Sequence, residues 1–450
     1  MVTDSTTNEG LIQEAIRSSN ELFYCNAWKH GKPQMRSEIL HRWSSLIKQN
    51  RDALALLITL ENGKPLKEAL GEVLYACDYI DFYGSEATRI HGEFYPNSQD
   101  SSRRIVVKRE PVGVVGMITP WNFPIAMIAR KVAPAVAAGC CIVAKPAHQT
   151  PLSMLAIAIL AKEAGFPAGL FNIVSGMNAA LIGNCLTSSP LVQKISFTGS
   201  TAIGKRLFKQ SSDTVKRLSL ELGGNAPAIV FADADLDEAV SQIFSCKFRC
   251  SGQTCISANR IYVHASIIDR FREKFVAKVS SDLVMGHGAD PGTTLGPLID
   301  ETALAKASNL VKGLDADVLL CGGKKATGFA GHFFEPTVIQ LGNCTSRHPI
   351  LQQELFSPIA VIIPFGSEEE VLACANGTSS GLASYVFTRD LARSLRIADE
   401  LQFGMVGIND CAISDAKAPF GGIKESGFGR EGSHHGIQEY LNLKYIKIKS

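Results

Sequence analysis

Apolar positions between residues 9 and 83 recur at helical spacing, with Leu40, Trp43, Leu46 and Ile47 on one face, which predicts helices packed against a core. The pattern breaks at Gly63-Lys64-Pro65, a stop signal for one helix before the next begins. From about Arg103 the period changes. Short apolar runs at 105–107, 112–118, 141–144 and 171–174 alternate with helical stretches such as 154–164, the spacing of βαβ units. A second alternation begins near residue 229 and continues past 362, with strands expected at 260–263, 318–320 and 361–363. The pattern therefore predicts an α/β protein of two domains. Segments 92–108 and 442–449 read as strands outside both alternations and suit a small arm or interface sheet.

Residues 111–129 carry no charge over 19 positions, long enough to raise a membrane span. Pro111, Pro120, Asn122 and Pro124 argue instead for a buried parallel strand followed by a loop. Among the 450 residues, 46% are hydrophobic and 20% charged, which excludes a disordered or fibrous chain. Lys plus Arg number 45 against 43 for Asp plus Glu, so no bulk field draws in nucleic acid or an anionic membrane. A small-molecule role is expected. Twelve cysteines without a CxxC pair fit a reducing compartment better than a disulfide scaffold. The first ten residues show no secretory or organellar pattern, and a cytoplasmic protein is expected. His434-His435 has no metal-ligand spacing, so no metal site is assigned.

Three strings bear on chemistry. Gly252-Gln253-Thr254-Cys255 offers a thiol, although a free Cys is commonly a small buried hydrophobe. Glu221-Leu222-Gly223-Gly224-Asn225 ends an apolar strand in a carboxylate, and its glycines permit unusual dihedrals or close approach of a ligand. Phe197-Thr198-Gly199-Ser200-Thr201 leads to Gly204-Lys205-Arg206, a strand, a glycine turn and a helix start. Its G-x-x-x-x-G-K matches a phosphate loop until Arg206 stands where Ser or Thr would hold magnesium. Nucleotide hydrolysis is the competing reading, and the missing hydroxyl argues against it. The dinucleotide fingerprint G-x-G-x-x-G is absent, so a nicotinamide cofactor would need a variant turn.

The order of these strings, together with Pro120-Trp121-Asn122-Phe123-Pro124 and Lys145-Pro146-Ala147, resembles the aldehyde dehydrogenase superfamily over nearly the whole chain. Glu221 precedes Cys255 by 34 residues, as that family's base precedes its nucleophile. The C-terminal string from Pro419 looks most like the succinate semialdehyde dehydrogenases. The resemblance implies a Rossmann-like dinucleotide-binding domain (1–91 and 109–222), an α/β catalytic domain (223–436) and a small β bridging element (92–108 and 437–450) that joins a homodimer or homotetramer.

It also implies roles. Cys255 would attack an aldehyde, Asn122 and the Cys255 N–H would hold the oxyanion, and Glu221 would activate water against the thioester. Trp121, Lys145, His148, Gly199, Ser200, Glu354 and Phe356 would line the site of NADP or NAD. Arg130, Arg249 and Ser414 match the acyl-site pattern and would hold a substrate carboxylate, favouring succinate semialdehyde over neutral aldehydes. Another short semialdehyde or aldehyde is the nearest alternative substrate.

Four departures qualify the match. His148 stands where NAD-preferring relatives often carry Glu, which removes repulsion of a 2′-phosphate and tips the expectation toward NADP. Ser257 replaces a second cysteine that would pair with the nucleophile in some relatives. Ser357 replaces the glycine after Glu-x-Phe and would disturb the nicotinamide site if the turn needs positive φ. The first helix also lies nearer the start than is common in the family. With Ser357, that leaves a noncatalytic protein on the same fold as the alternative from another class.

Overall fold

The computed structural model describes residues 2–3, 8–100, 102–314, 318–343 and 348–449. Helices Glu9–Tyr24, Pro33–Gln49, Arg51–Asn62 and Leu66–Glu86 form the expected N-terminal array. The break is where the sequence places it. Gly63 closes the third of these helices at φ 86°, a left-handed value natural for glycine, and Pro65 cannot extend the helix behind it. Trp43 is fully buried and its Nε1 donates to the Ile157 carbonyl at 2.8 Å, fastening this array to helix Pro151–Glu163.

A seven-stranded sheet follows in the order Val2–Thr3, Phe171–Val174, Cys141–Lys145, Val114–Ile118, Val192–Thr198, Arg217–Glu221, Gly427–Phe428. The pairings are parallel except the last. Cys141–Lys145 is buried along its whole length, as a parallel strand covered on both faces must be. The uncharged stretch is accounted for by strand Val114–Ile118, a loop and helix Ala126–Ala138. Among the described residues no helix is long and apolar enough to cross a membrane.

The second sheet runs Leu319–Cys321, Thr337–Gln340, Ile359–Phe365, Ala258–His264, Ala226–Val230, Ala383–Phe387, Met405–Ile408. Only its first pairing is antiparallel. A third sheet, Leu441–Lys449, Arg103–Pro111 and Glu93–Pro96, stands apart from both, antiparallel throughout. The arm strand expected to finish at residue 108 continues to Pro111, which pairs with Leu441. The last stretch of the chain also crosses back: Gly427 and Phe428 pair with Glu221 and Leu220 at the edge of the first sheet.

Candidate active site

The carboxyl ends of the first sheet's strands point into a cavity of about 560 Å³, the usual position for a ligand in an open parallel sheet. Residues 120–123, 198–200 and 221–223 line it from that sheet, and residues 254–256, Glu354, Phe356 and 411–414 from the second. Eleven of the thirteen residues named from the sequence meet there: Cys255, Glu221, Asn122, Trp121, Gly199, Ser200, Glu354, Phe356, Arg130, Arg249 and Ser414. Lys145 and His148 lie outside the lining. Lys145 is buried, donates to its neighbour's Pro146 carbonyl at 3.0 Å and has its pKa lowered by burial, while His148 is exposed.

The loop that carries Cys255 is held by force of contacts. After helix Leu236–Phe248 the backbone takes three left-handed residues in a row, Cys250 (φ 51°), Ser251 (φ 54°) and Gly252 (φ 73°). The two with side chains cost about 1–3 kcal/mol each. What holds them is a set of hydrogen bonds, partly or wholly buried: Cys250 N to Glu68 Oε2 at 2.8 Å, Ser251 Oγ to the Gly296 carbonyl at 2.7 Å, and Ile299 N to Gln253 Oε1 at 3.0 Å. A Cβ at Gly252 would sit 2.2 Å from the Ser357 carbonyl, so this turn passes too close to its neighbour for any side chain.

The Gly223-Gly224 pair has the same cause. Neither residue has positive φ; a Cβ on Gly224 would meet the Cys255 carbonyl at 2.2 Å, and one on Gly223 would meet Glu354 Oε2 at 2.8 Å. The close approach anticipated for a ligand is thus made by the protein's own Cys255 loop and Glu354. Ser357 needs a similar correction. The left-handed residue in this turn is Phe356 (φ 49°), edge-on to Trp121 at 5.6 Å, and Ser357 lies outside the left-handed region. Its side chain is buried and strains nothing at φ.

Cys255 is half-buried, and its thiol is pushed up to about 12 by burial and by the carboxylates of Glu354 and Glu221, against the pull of Arg130 and Arg249. Glu221, at the end of its strand, is buried with Oε2 unpartnered; burial and the charge of Glu431 raise its pKa well above the carboxylate range. Asn122 donates Nδ2 to the Gln253 carbonyl at 2.9 Å, and its Oδ1 accepts from Phe123 N at 3.1 Å. This leaves one amide hydrogen to offer. Arg130 lies 2.6 Å from Glu431 Oε2 and 4.0 Å from the Phe420 ring, with Nε unpartnered, so it is both an ion-pair member and a cavity wall. Lys131 pairs with the other Glu431 oxygen. Arg249 is exposed, 5.2 Å from the Phe123 ring.

On the cofactor side, Ser200 caps helix Thr201–Ser211 and the Gly199 N–H is taken by the Glu221 carbonyl at 3.0 Å. A two-residue turn cannot wrap a triphosphate as a phosphate loop does, and Lys205 is committed to Glu425 at 2.7 Å. The hydrolase reading fails on both counts. A nicotinamide dinucleotide does fit: the helix N-terminus faces the cavity, Thr198 Oγ1 is buried and unpartnered beside it, and Glu354 accepts from Gly224 N at 3.1 Å. Glu354 has its pKa raised to about 7 by burial, against the Gly224 N–H and Lys306.

Sequence reading passed over Lys64, Glu68, Glu72 and Glu431. Each is more than nine-tenths buried or seated on the cavity wall, and each answers a charge or backbone group far along the chain, so no local string marks it.

A half-buried thiol, a buried carboxyl and an amide donor grouped beside a dinucleotide-binding strand end define a cysteine-dependent dehydrogenase class. The aldehyde dehydrogenase family model matches residues 2–446, and the chain belongs to that family. It is 51% identical over 427 residues to an Escherichia coli protein named succinate-semialdehyde dehydrogenase NADP(+) GabD, covering 94% of this chain and 87% of that one. It is 48% identical over 435 residues to a Pseudomonas putida protein named 3-sulfolactaldehyde dehydrogenase, covering 96% of this chain and 88% of that one. The crystal structure of succinate-semialdehyde dehydrogenase from Burkholderia pseudomallei superposes with a TM-score of 0.94 at 47% identity, covering 98% of this chain and 90% of that one.

Proposed function

We propose that the protein oxidises succinate semialdehyde to succinate with NADP, or less favourably NAD, through a covalent thioester on Cys255. The observation that carries this reading is the meeting of Cys255, Glu221 and Asn122 with two guanidinium groups in one cavity. The Cys255 sulfur, its proton given up to solvent water, forms a bond to the aldehyde carbon as the carbonyl π bond opens onto oxygen. The Asn122 amide and the Cys255 N–H are the donors for that oxyanion, a pair worth about 3 kcal/mol. When bound, the nicotinamide cofactor supplies the hydride acceptor. Trp121, Gly199, Ser200, Glu354 and Phe356 would hold it, with Lys145 and His148 toward its adenosine end. Glu221 then takes a proton from the water that cleaves the thioester, releasing the acid and restoring the thiol.

Arg249, Arg130 and Ser414 are the groups assigned to the far carboxylate of the substrate. A planar guanidinium grips a carboxylate through two hydrogen bonds, and a neutral aldehyde leaves Arg249 without that partner and the Arg130 Nε unmatched. His148 places no negative charge where a 2′-phosphate would lie, which supports NADP. The relatives named for NADP(+) agree with this choice. The first sheet and its helices are assigned as the dinucleotide-binding unit, the second sheet as the catalytic unit. The third sheet exposes Phe94, Tyr95, Leu443, Tyr445, Ile446 and Ile448, and we assign it to a homodimer or homotetramer interface. The described cysteines Cys77, Cys140, Cys141, Cys185, Cys250 and Cys255 are free thiols, in keeping with a reducing cytoplasm.

The test is steady-state kinetics with succinate semialdehyde, glutarate semialdehyde and propanal, each with NADP and NAD. The reading expects the highest kcat/KM for succinate semialdehyde with NADP. A higher value for propanal would overturn the carboxylate assignment, and light scattering at the monomer mass would overturn the interface.

A further inference from the structure

Lys64 occupies the break between helices Arg51–Asn62 and Leu66–Glu86, where a surface lysine would be the ordinary expectation. It is instead 2% exposed. Its Nζ pairs with Glu72 Oε2 at 2.7 Å, donates to the Asn122 backbone carbonyl at 2.5 Å and stands 3.9 Å from the Phe123 ring centre. The other Glu72 oxygen accepts from Ile125 N at 2.8 Å and Ala126 N at 3.2 Å, the first N–H groups of helix Ala126–Ala138. Asn62 adds a third tie, Nδ2 to the Trp121 carbonyl at 3.1 Å, while its Oδ1 accepts from Lys64 N at 3.3 Å.

Four backbone groups of the loop at 121–126 thus end on three side chains from 62–72. Apolar residues of similar volume would fill this space at less desolvation cost, since a buried ion pair is weak evidence for stability. They would, however, leave the Asn122 carbonyl with only the long contact from the Cys250 thiol at 3.7 Å and take the Glu72 acceptor from two N–H groups at the helix start, each a penalty in a dry interior. What the pair supplies is position. With the Asn122 main chain fixed by Lys64 and one amide hydrogen committed to the Gln253 carbonyl beside the nucleophile, the other hydrogen has one direction left to point.

We propose that Lys64 and Glu72 are a positioning pair for the oxyanion amide, holding the Asn122 main chain so that its free side-chain N–H faces the oxygen of the Cys255 adduct. The inference rests on the assignment of Asn122 as an oxyanion donor. Its test is arranged to separate the two.

The probe is 4-nitrophenyl acetate, which acylates a thiol without any cofactor: the Cys255 sulfur bonds to the acyl carbon and 4-nitrophenolate leaves. The burst rate of nitrophenolate reports oxyanion stabilisation. Alkylation of Cys255 by iodoacetamide displaces iodide and develops no oxyanion, so it reports thiol access and ionisation alone. Lys64→Met is expected to slow the burst ten- to a hundredfold while alkylation stays within twofold, and Lys64→Arg to restore part of the loss. In an Asn122→Ala background Lys64→Met is expected to add little, because the group it positions is gone.

An unchanged burst in folded Lys64→Met, full additivity with Asn122→Ala, or alkylation slowing in step with the burst would each overturn the proposal. If Lys64→Met does not fold, the neutral pair Lys64→Gln/Glu72→Gln carries the same comparison. Asn122→Ala with an unchanged burst would remove the oxyanion assignment, and this inference with it. A slowed Asn122→Ala beside an unaffected Lys64 variant removes the inference alone.

Discussion

The buried wall of the cavity and its mouth are built from the same residue types to opposite ends. On and just behind the wall, Arg130, Lys131, Glu221 and Glu431 are almost wholly out of water; the charges of Lys131 and Arg130 hold Glu431 below the ordinary carboxylate value, and Glu431 in turn helps raise Glu221. At the mouth, Arg249 is exposed and Ser200 and Ser414 meet solvent. A charge on the wall is costly to leave unpaired and couples catalysis to folding, whereas a charge at the mouth tunes which ligand enters at little cost to the fold. Changes to the wall should therefore move stability and chemistry together, and changes to the mouth should move selectivity alone.

The largest effect is expected at Cys255, which lies between the two regions. Cys255→Ala should lower dehydrogenase turnover by about 10⁴-fold or more, read by cofactor reduction, with the thermal midpoint unchanged. On the wall, Lys131→Met strips Glu431 of one partner and should destabilise the fold by about 3–5 kcal/mol in urea titrations at pH 7. The sign of its pH dependence follows. Burial would raise the Glu431 pKa, but Lys131 and Arg130 bring it below the ordinary carboxylate value. Its contribution is thus present above the unfolded carboxylate pKa and fades as pH falls below about 4, so wild type and variant should converge there.

At the mouth, Arg249→Met should cut kcat/KM for succinate semialdehyde about tenfold, the lower range of a charged hydrogen bond, since water screens the site. Propanal turnover and the thermal midpoint should stay put. A parallel loss with propanal would erase the distinction between wall and mouth. The smallest effect is electrostatic. Glu354 is among the groups that push the Cys255 thiol up, so Glu354→Gln should speed iodoacetamide alkylation several-fold at pH 8.5, where the native carboxylate is ionised, and much less at pH 6.

These regions were also unequally legible in the sequence. The mouth and the groups proposed to react lie on short strings, Trp121-Asn122, Gly199-Ser200, Glu221 and Cys255, where a glycine or proline beside a polar residue signals a loop with a task. The alternation of apolar runs likewise gave both sheets, since parallel strands must be apolar along their length. The wall was opaque. Lys131 and Glu431 are separated by 300 residues, and the Lys64 pairing with the Asn122 carbonyl by 58, so only the folded chain brings them together. Local dihedrals were equally hidden: the positive φ sought at Ser357 falls at Phe356, because the turn is set by its contacts with Gly252 and Trp121.

The central claim, a thioester dehydrogenase for a carboxylate-bearing aldehyde, is tested most directly by following reduced-nicotinamide absorbance on mixing the purified protein with succinate semialdehyde and NADP, beside NAD and propanal controls. The account predicts turnover with succinate semialdehyde, faster with NADP than with NAD and at least tenfold above propanal in kcat/KM. Absence of cofactor reduction with every aldehyde and both cofactors would contradict it and leave a noncatalytic protein on this fold.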